Sequence, residues 1–294
     1  MLRLYRKLQI SIHSTMKIAL CFSGGLRSIT DTKEYWQAFI AKYDIDVYGS
    51  FWDDELPEFG DTFENFTKLY SPKLIEVDNY AAFKTSTQDI ASLCIMPPIE
   101  LIGLFQQTCK SFGQLAMYYR IWRCNMLTKL SDVKYDLVIR ARIDTILGDA
   151  FEIIDNEMLN VPAGIMFVPS FPNSWGIADT FAYGRPKIMD YYSFMFLKMM
   201  EYVNTGHYVF PSEHFLSVHF SKARILIRQF GQYITIIRTA KGLPPNEYNG
   251  YIVDGQIDII DWSDDYEIAF MAPAENCTFI NPNLKHDLTN WLTI

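Results

Sequence analysis

No stretch of the chain approaches the roughly 18 consecutive apolar residues of a membrane-spanning helix. The longest apolar region, Ile90 to Phe105, is interrupted by Pro97, Pro98 and Glu100, so no transmembrane segment is expected. Cysteine is scarce and odd in number: Cys21, Cys94, Cys109, Cys124 and Cys277 lie far apart in apolar settings, with no C-x-x-C. This argues against a disulfide frame or a cysteine zinc site and fits reduced thiols in a cytoplasmic protein. The five histidines form no H-E-x-x-H. Neither G-x-G-x-x-G nor G-x-x-x-x-G-K-[ST] occurs, so a dinucleotide site or a P-loop lacks its motif. Basic residues are in deficit, 26 against 34 acids, and the net charge of −8 argues against a general nucleic-acid binder. A small anionic ligand would need a local cluster of cations, so arginines in unexpected places carry the most information.

What is present describes a globular chain: 49% of the 294 residues are hydrophobic and 20% charged, enough to bury a substantial core. Aromatics reach 15%, which either fills that core or builds a site that stacks flat ligands. Residues 1–15 carry Arg3, Arg6 and Lys7, no acid and no apolar signal-peptide core. Met16 heads M-K-I-A-L-C-F-S-G-G, so residues 1–15 read as an N-terminal extension or a mis-assigned start, with a weak basic contact peripheral to a membrane as the third reading.

Lys17 to Phe22 reads as a strand, broken by Ser23-Gly24-Gly25. Asp31 and Glu34 have capping-box spacing ahead of a helix carrying Trp36, Phe39 and Ile40. Ile45 to Phe51 reads as the second strand and Lys73 to Val77 as the third. The Met96-Pro97-Pro98 break predicts a loop over the sheet. Apolar periodicity predicts a helix from Ser111 to Leu130, with Phe112, Leu115, Ala116, Tyr119, Trp122, Met126 and Leu127 on one face. Strands are expected at Tyr135–Ile139, Ile165–Pro169 and Asp179–Tyr183, then a helix over Pro186–Val203 ending near Gly206 and a shorter one after Ser212. This order predicts an α/β fold with a mixed, mostly parallel sheet flanked by helices in a single domain. Residues 16–225 would form the catalytic domain, and residues 226–294 would pack on it.

Four stretches carry candidate chemistry. Ser23-Gly24-Gly25-Leu26-Arg27 lies between strand and helix, where backbone N–H groups bind phosphates and Arg27 is placed to pair with a diphosphate. A tight turn requiring positive φ explains the glycines equally well. In Tyr135 to Asp144, strand alternation puts Arg140, Arg142 and Asp144 on one face and Ile139, Ala141 and Ile143 on the other. Two guanidiniums leaving an apolar strand are costly to bury without an anion; the alternative is a solvent-facing edge strand. Asp179 is a lone acid among apolar residues, either a base or an ion-pair partner of Arg140 or Arg142. In Pro211-Ser212-Glu213-His214, Ser212 reads as an N-cap, and Glu213 as a first-turn acid or a general base. His214 is a weak metal candidate and His219 a core or surface histidine. The acids Asp254, Asp258, Asp261, Asp264 and Asp265 lack calcium-loop spacing and read as a solvated face. Trp52 and Trp175, beside candidate loops, are placed to stack on a base or sugar.

Together these stretches resemble a family of GT-A-like glycosyltransferases, mostly uncharacterised and common in phages, large viruses and bacteria. The resemblance rests on Lys17-Ile18-Ala19-Leu20-Cys21-Phe22-Ser23-Gly24 with Arg27, on Asp44-Ile45-Asp46-Val47 through Trp52, on Tyr135 to Asp144, on Asp179, Phe181 and Gly184, and on Ser212-Glu213. It covers residues 16–225. It implies a GT-A fold, a nucleotide-sugar donor and a glycan or other hydroxyl acceptor; the location expected from the cysteines is cytoplasmic, the host cytoplasm for a viral protein. Donor-binding residues would be Ser23, Gly24, Gly25, Arg27, Trp52, Arg140, Arg142 and Asp144, with Asp179 and Glu213 as candidate bases. The family's D-x-D segment usually binds Mn²⁺ or Mg²⁺. Here it reads Arg142-Ile143-Asp144, which leaves Asp144 as that segment's metal candidate and metal independence as the alternative. A sugar nucleotidyltransferase and a non-catalytic glycan-binding protein are the rival readings.

Overall fold

The computed structural model describes residues 16–53, 62–93, 111–146, 161–171, 177–205, 212–223, 225–233, 235–236, 250–253 and 256–259. Strand β1 (Lys17–Gly24) is buried from Ile18 to Ser23, on both faces. A strand apolar on both faces needs cover on both sides, the condition of a central parallel strand. It pairs in parallel with β2 (Asp44–Trp52) on one side and β4 (Leu137–Ala141) on the other. Helix α1 (Ile29–Lys42) connects β1 to β2, and α2 (Phe63–Tyr70) lies between β2 and β3 (Leu74–Asp78). Helices α3 (Tyr80–Ser86), α4 (Gln88–Leu93) and α5 (Ser111–Lys129) precede β4.

Beyond β4 come β5 (Thr145–Ile146), β6 (Ile165–Phe171), β7 (Phe181–Gly184), the helices α6 (Pro186–Ser193), α7 (Met195–Asn204) and α8 (Ser212–Ser221), then β8 (Leu226–Tyr233). The main sheet has seven strands in the order β3-β2-β1-β4-β7-β6-β8. Only β7 runs against its neighbours, so the sheet is mixed and mostly parallel, as the element order predicts. Two short ladders, β5 with β9 (Thr235–Ile236) and β10 (Gly250–Val253) with β11 (Gln256–Ile259), complete the described strands. Strand β8 belongs to the main sheet, so the chain beyond residue 225 contributes directly to it.

Two apolar layers cover the sheet. On one face Trp36 and Phe39 of α1 and Phe66 and Tyr70 of α2 pack with Leu20, Phe22, Phe51 and Ile139. Phe22 meets Trp36 edge-on at 4.9 Å, the geometry aromatic quadrupoles favour. Gly49 leaves room for this layer: a Cβ there would lie 2.9 Å from the Phe66 ring. On the other face Leu115, Tyr118 and Ile121 of α5 pack with Ala19, Cys21, Tyr48 and Val138, beneath α6, α7 and α8. The described aromatics are mainly core. His219 is core too: its ring stacks on Tyr191 at 4.2 Å, Nε2 donates to the Tyr191 carbonyl, and Nδ1 takes the Tyr202 hydroxyl. Burial pushes its pKa down to about 4, so it is neutral at physiological pH.

Several expectations need correction. Helix α1 begins earlier than the capping-box spacing implies: Ser28 is its N-cap, at φ 55°, and Asp31 sits in the first turn. Helix α5 is not buried on one face only. It lies on the sheet, where Arg120 and Cys124 meet β2 and β1, and it is itself covered by α6 and α7, so that Asn125 on its other side is buried against Asp190 and Tyr118 against Phe215 of α8. The helix expected over Pro186–Val203 is two helices meeting at Phe194. The region after β3 forms α3 and α4 before residue 94; the Pro97-Pro98 loop lies outside the described residues. So do residues 1–15, Trp175, Gly206, the His214 side chain and most of the 254–265 acids. No described helix is long and apolar enough to cross a membrane.

Candidate functional site

The site lies at the carboxyl ends of β1, β2 and β4. Gly24 ends β1 at φ 126°, a conformation that side-chain-bearing residues rarely adopt, so the turn requires glycine there. The Arg27 guanidinium folds back over Gly25, where a Cβ would meet Nη2 at 3.2 Å. On the other side of β1, β4 is the middle strand of seven, which removes the edge-strand reading of its arginines. Ile139, Ala141 and Ile143 enter the α1–α2 layer, as the alternation predicts. Arg140 faces the other way and is only 3% exposed. Its Nη1 donates to the Asp179 carbonyl, while Nε and Nη2 have no hydrogen-bond partner.

The chain turns after Ala141, and the turn is tied down. Thr145 Oγ1 donates to the Arg142 carbonyl at 2.7 Å, and Thr32 Oγ1 of α1 reaches the Ile143 carbonyl at 2.8 Å. Arg142 then grips Asp144 with both arms of its fork: Nε to Oδ1 at 2.9 Å and Nη2 to Oδ2 at 2.7 Å. Arg27 Nε approaches the same carboxylate at 3.9 Å. Burial opposes the Arg142 charge, but the Asp144 carboxylate more than offsets it and holds the guanidinium above its ordinary pKa.

Ser23, Gly24, Gly25, Arg27, Trp52, Arg140, Arg142 and Asp144 all line one cavity of about 250 Å³. Every residue expected at the donor is therefore present in it. The Ser23 hydroxyl, like Nε and Nη2 of Arg140, is buried without a partner. Trp52 differs from expectation: it is 5% exposed, with Tyr119 stacked at 5.6 Å, Phe83 at 4.6 Å and the Arg120 guanidinium 4.0 Å from its ring. Its ring belongs to this aromatic cluster, so it forms a wall more than a stacking platform.

Tyr80, Gly113, Ala116 and Met117 also line the cavity, and the sequence reading does not place them there. The last three lie at i, i+3 and i+4 on α5, so they share the face that borders the cavity. A Cβ on Gly113 would meet nothing within 4 Å.

Asp179 and Glu213 do not line that cavity but adjoin it. Asp179 Oδ2 accepts from Ser212 Oγ at 2.6 Å, and Glu213 Oε2 lies 3.2 Å from the same hydroxyl. Ser212 therefore bridges two carboxyl groups, a role its reading as an N-cap does not include. No ion pair between Asp179 and an arginine forms among the described residues; Arg140 takes the Asp179 carbonyl instead. Burial, then the nearby Asp179 charge, pushes the Glu213 pKa up to about 7. Folded Glu213 thus holds a proton that the unfolded chain has already lost above its ordinary pKa of 4.5. Its contribution to stability is full at low pH and is lost as pH rises through about 7. His219 acts oppositely, but its window lies below pH 6.5. Thermal unfolding should therefore give a lower Tm at pH 8 than at pH 6.5, and Glu213→Gln should remove most of that difference. An unchanged difference in the variant would assign it to other groups.

The acids Asp44 and Asp46 lie at the opposite, amino-terminal end of β2. There they hold Lys17 at 2.6 and 3.1 Å, with Lys73 and the Tyr135 hydroxyl on Asp46. Among the described residues no three His, Cys, Asp or Glu side chains gather as a metal site.

No protein-family model matches the chain, and no curated protein matches its sequence. Among solved structures it is similar to apo mouse xyloside xylosyltransferase 1, at 4% identity and TM-score 0.38, over 74% of this chain and 84% of that one. A structure assigned as a glucose-1-phosphate thymidylyltransferase of Bacillus anthracis, in complex with sucrose, is similar at 10% identity and TM-score 0.38. That likeness covers 76% of this chain and 89% of the other. The apo glycosyltransferase GlyE of Streptococcus pneumoniae is similar at 10% identity and TM-score 0.37, over 74% of this chain and 46% of that one. These are distant likenesses, and the functional reading rests on the chain's own residues.

Proposed function

We propose that the chain is a glycosyltransferase that takes a sugar from a nucleoside diphosphate donor and passes it to a hydroxyl of a glycan or other acceptor. The observation that carries this reading is Arg140. A guanidinium buried in the middle of a sheet at a cavity wall, with Nε and Nη2 unpaired, is a costly arrangement unless an anion completes it. The cavity also lies where open α/β sheets bind ligands, beyond the carboxyl ends of parallel strands.

The departing group of such a donor is a nucleoside diphosphate, so the site must stabilise negative charge as the glycosidic bond breaks. Arg27, Arg140 and Arg142 supply three guanidiniums against the single carboxylate of Asp144. Ser23 and the Gly24 turn bring a hydroxyl and bare backbone to the same anion. Asp144 orients Arg142. For an inverting transfer a carboxylate must take the proton of the acceptor hydroxyl, and a carboxyl titrating near neutral pH is suited to that task. Glu213 is our candidate for the base, with Asp179 holding it through Ser212.

The test uses the full chain. UDP, GDP and CDP are titrated while thermal unfolding is followed, and the corresponding nucleotide sugars are assayed for release of the nucleoside diphosphate. At least one nucleotide should raise the Tm, and its sugar should be slowly hydrolysed without acceptor. If none of the three stabilises the chain, the transferase reading fails. Pyrophosphate formed from a nucleoside triphosphate and a sugar phosphate would favour a nucleotidyltransferase instead.

A further inference from the structure

The same cavity bears on how the donor's charge is neutralised, an inference that rests on the nucleotide-sugar reading. Mn²⁺ and Mg²⁺ are hard cations that take oxygen ligands in near-octahedral sets, with carboxylates supplying the charge. The residues here do not fit such an ion. Among the described residues lining the cavity Asp144 is the only acid, and each of its oxygens accepts from Arg142. Arg27 lies 3.9 Å from it. A divalent ion on Asp144 would have to displace the Arg142 fork and stand beside two other guanidiniums, with like charges repelling across the cavity.

What the residues do fit is an oxyanion. A guanidinium presents paired N–H groups that match phosphate oxygens two at a time. Arg140 already has Nε and Nη2 buried and unpaired, and the Ser23 hydroxyl is buried beside the same cavity without a partner. Arg142 differs, since its fork is engaged by a carboxylate that mimics the shape and charge of a phosphate edge. We propose that the donor diphosphate is held by Arg140, Arg142 and Arg27 without a divalent cation, and that Asp144 keeps the Arg142 fork in place until phosphate oxygens take it over. Asp144 is then a placeholder that the phosphate displaces from Arg142, and not a metal ligand.

Calorimetric titration of the full chain with UDP, GDP and CDP, in EDTA and again in millimolar Mn²⁺ or Mg²⁺, separates the outcomes. The nucleotide that binds should do so with a Kd that differs by less than about threefold between the two buffers. Binding that appears only with metal, or tightens by more than about tenfold, overturns this inference and leaves the nucleotide reading standing. Binding in neither buffer overturns the nucleotide reading itself. Asp144→Asn gives a second measure: a metal ligand would lose affinity on this change, whereas a competitor of phosphate for Arg142 would not. The Asp144→Asn variant, checked for native circular dichroism, should bind the nucleotide as tightly as the native chain or several-fold tighter. A loss above about tenfold in a folded variant would return Asp144 to the role of a metal or donor ligand.

Discussion

Replacing Arg140 by Met should leave the ligand-free chain as stable as before, or more so, while weakening nucleoside diphosphate binding by about 100-fold or more. The two effects follow from one arrangement. Each hydrogen bond from a charged donor contributes on the order of 1.5–3 kcal/mol, and Arg140 has two unpaired N–H positions to offer an anion. Losing both would cost the complex about 3–6 kcal/mol. Without ligand the balance reverses. An unsatisfied buried donor costs roughly 1–3 kcal/mol, so Nε and Nη2 together offset what Nη1 gains from the Asp179 carbonyl. Met keeps the length of the stem and needs no partner. Thermal unfolding without ligand, set beside calorimetric titration with the nucleotide that stabilises the native chain, measures both sides. A drop of many degrees in Tm with unchanged affinity would make Arg140 a structural residue.

Arg140 is legible in the sequence because the anomaly is local: an arginine inside an apolar run contradicts the strand around it. The Gly24 turn is legible for the same reason, since a glycine pair between a strand and a helix has few other uses. The alternation of residues 139–144 extends beyond the strand's end, because Ile143 still has the α1–α2 layer to enter. The pairing of Arg142 with Asp144 is not legible, although both residues stand out. Spacing says that two side chains share a face, but it does not say whether they spend their charge on each other or on a ligand. Ser212 shows the same limit. The sequence reads it as a cap, yet it is the first residue of α8 and its hydroxyl serves Asp179, which lies 33 positions away. Trp52 is legible as a residue of the cavity but not in its task, because Tyr80, Phe83, Tyr119 and Arg120 come to it from elements far apart in the chain. The element order and the mostly parallel sheet need only local periodicity; the strand order, with β8 beside β6, and the polar contacts need the fold.

Arg120→Ala should be the most damaging of the stability variants, at about 3–5 kcal/mol, which for a chain of this size corresponds to a fall in Tm of roughly 10 °C. In an isolated helix Arg120 would read as an outward charge. In the fold it is fully buried, because its guanidinium reaches the ends of β2 and β3 beneath the helix. Nη1 donates to Ser50 Oγ at 3.1 Å and to the Phe51 carbonyl at 3.0 Å, and Nη2 pairs with Asp78 of β3. Glu76 lies 3.5 Å away and is also held by the fork of Arg123. The guanidinium therefore joins α5 to the ends of β2 and β3, and its flat face supports Trp52. Truncation would leave Ser50 without its donor, Asp78 without its counter-ion and a void beneath Trp52. Arg120→Met should recover the part of the loss that comes from the void. Adding Asp78→Asn to Arg120→Met should recover more, since it removes the stranded charge, and this non-additivity measures the pair itself. Nucleotide affinity should fall along with Tm in the Ala variant, because Trp52 and Tyr80 form the cavity wall that Arg120 backs. A variant within a degree or two of the native Tm would show that Asp78, about one third exposed, is satisfied by water alone and that the junction is held by its apolar contacts.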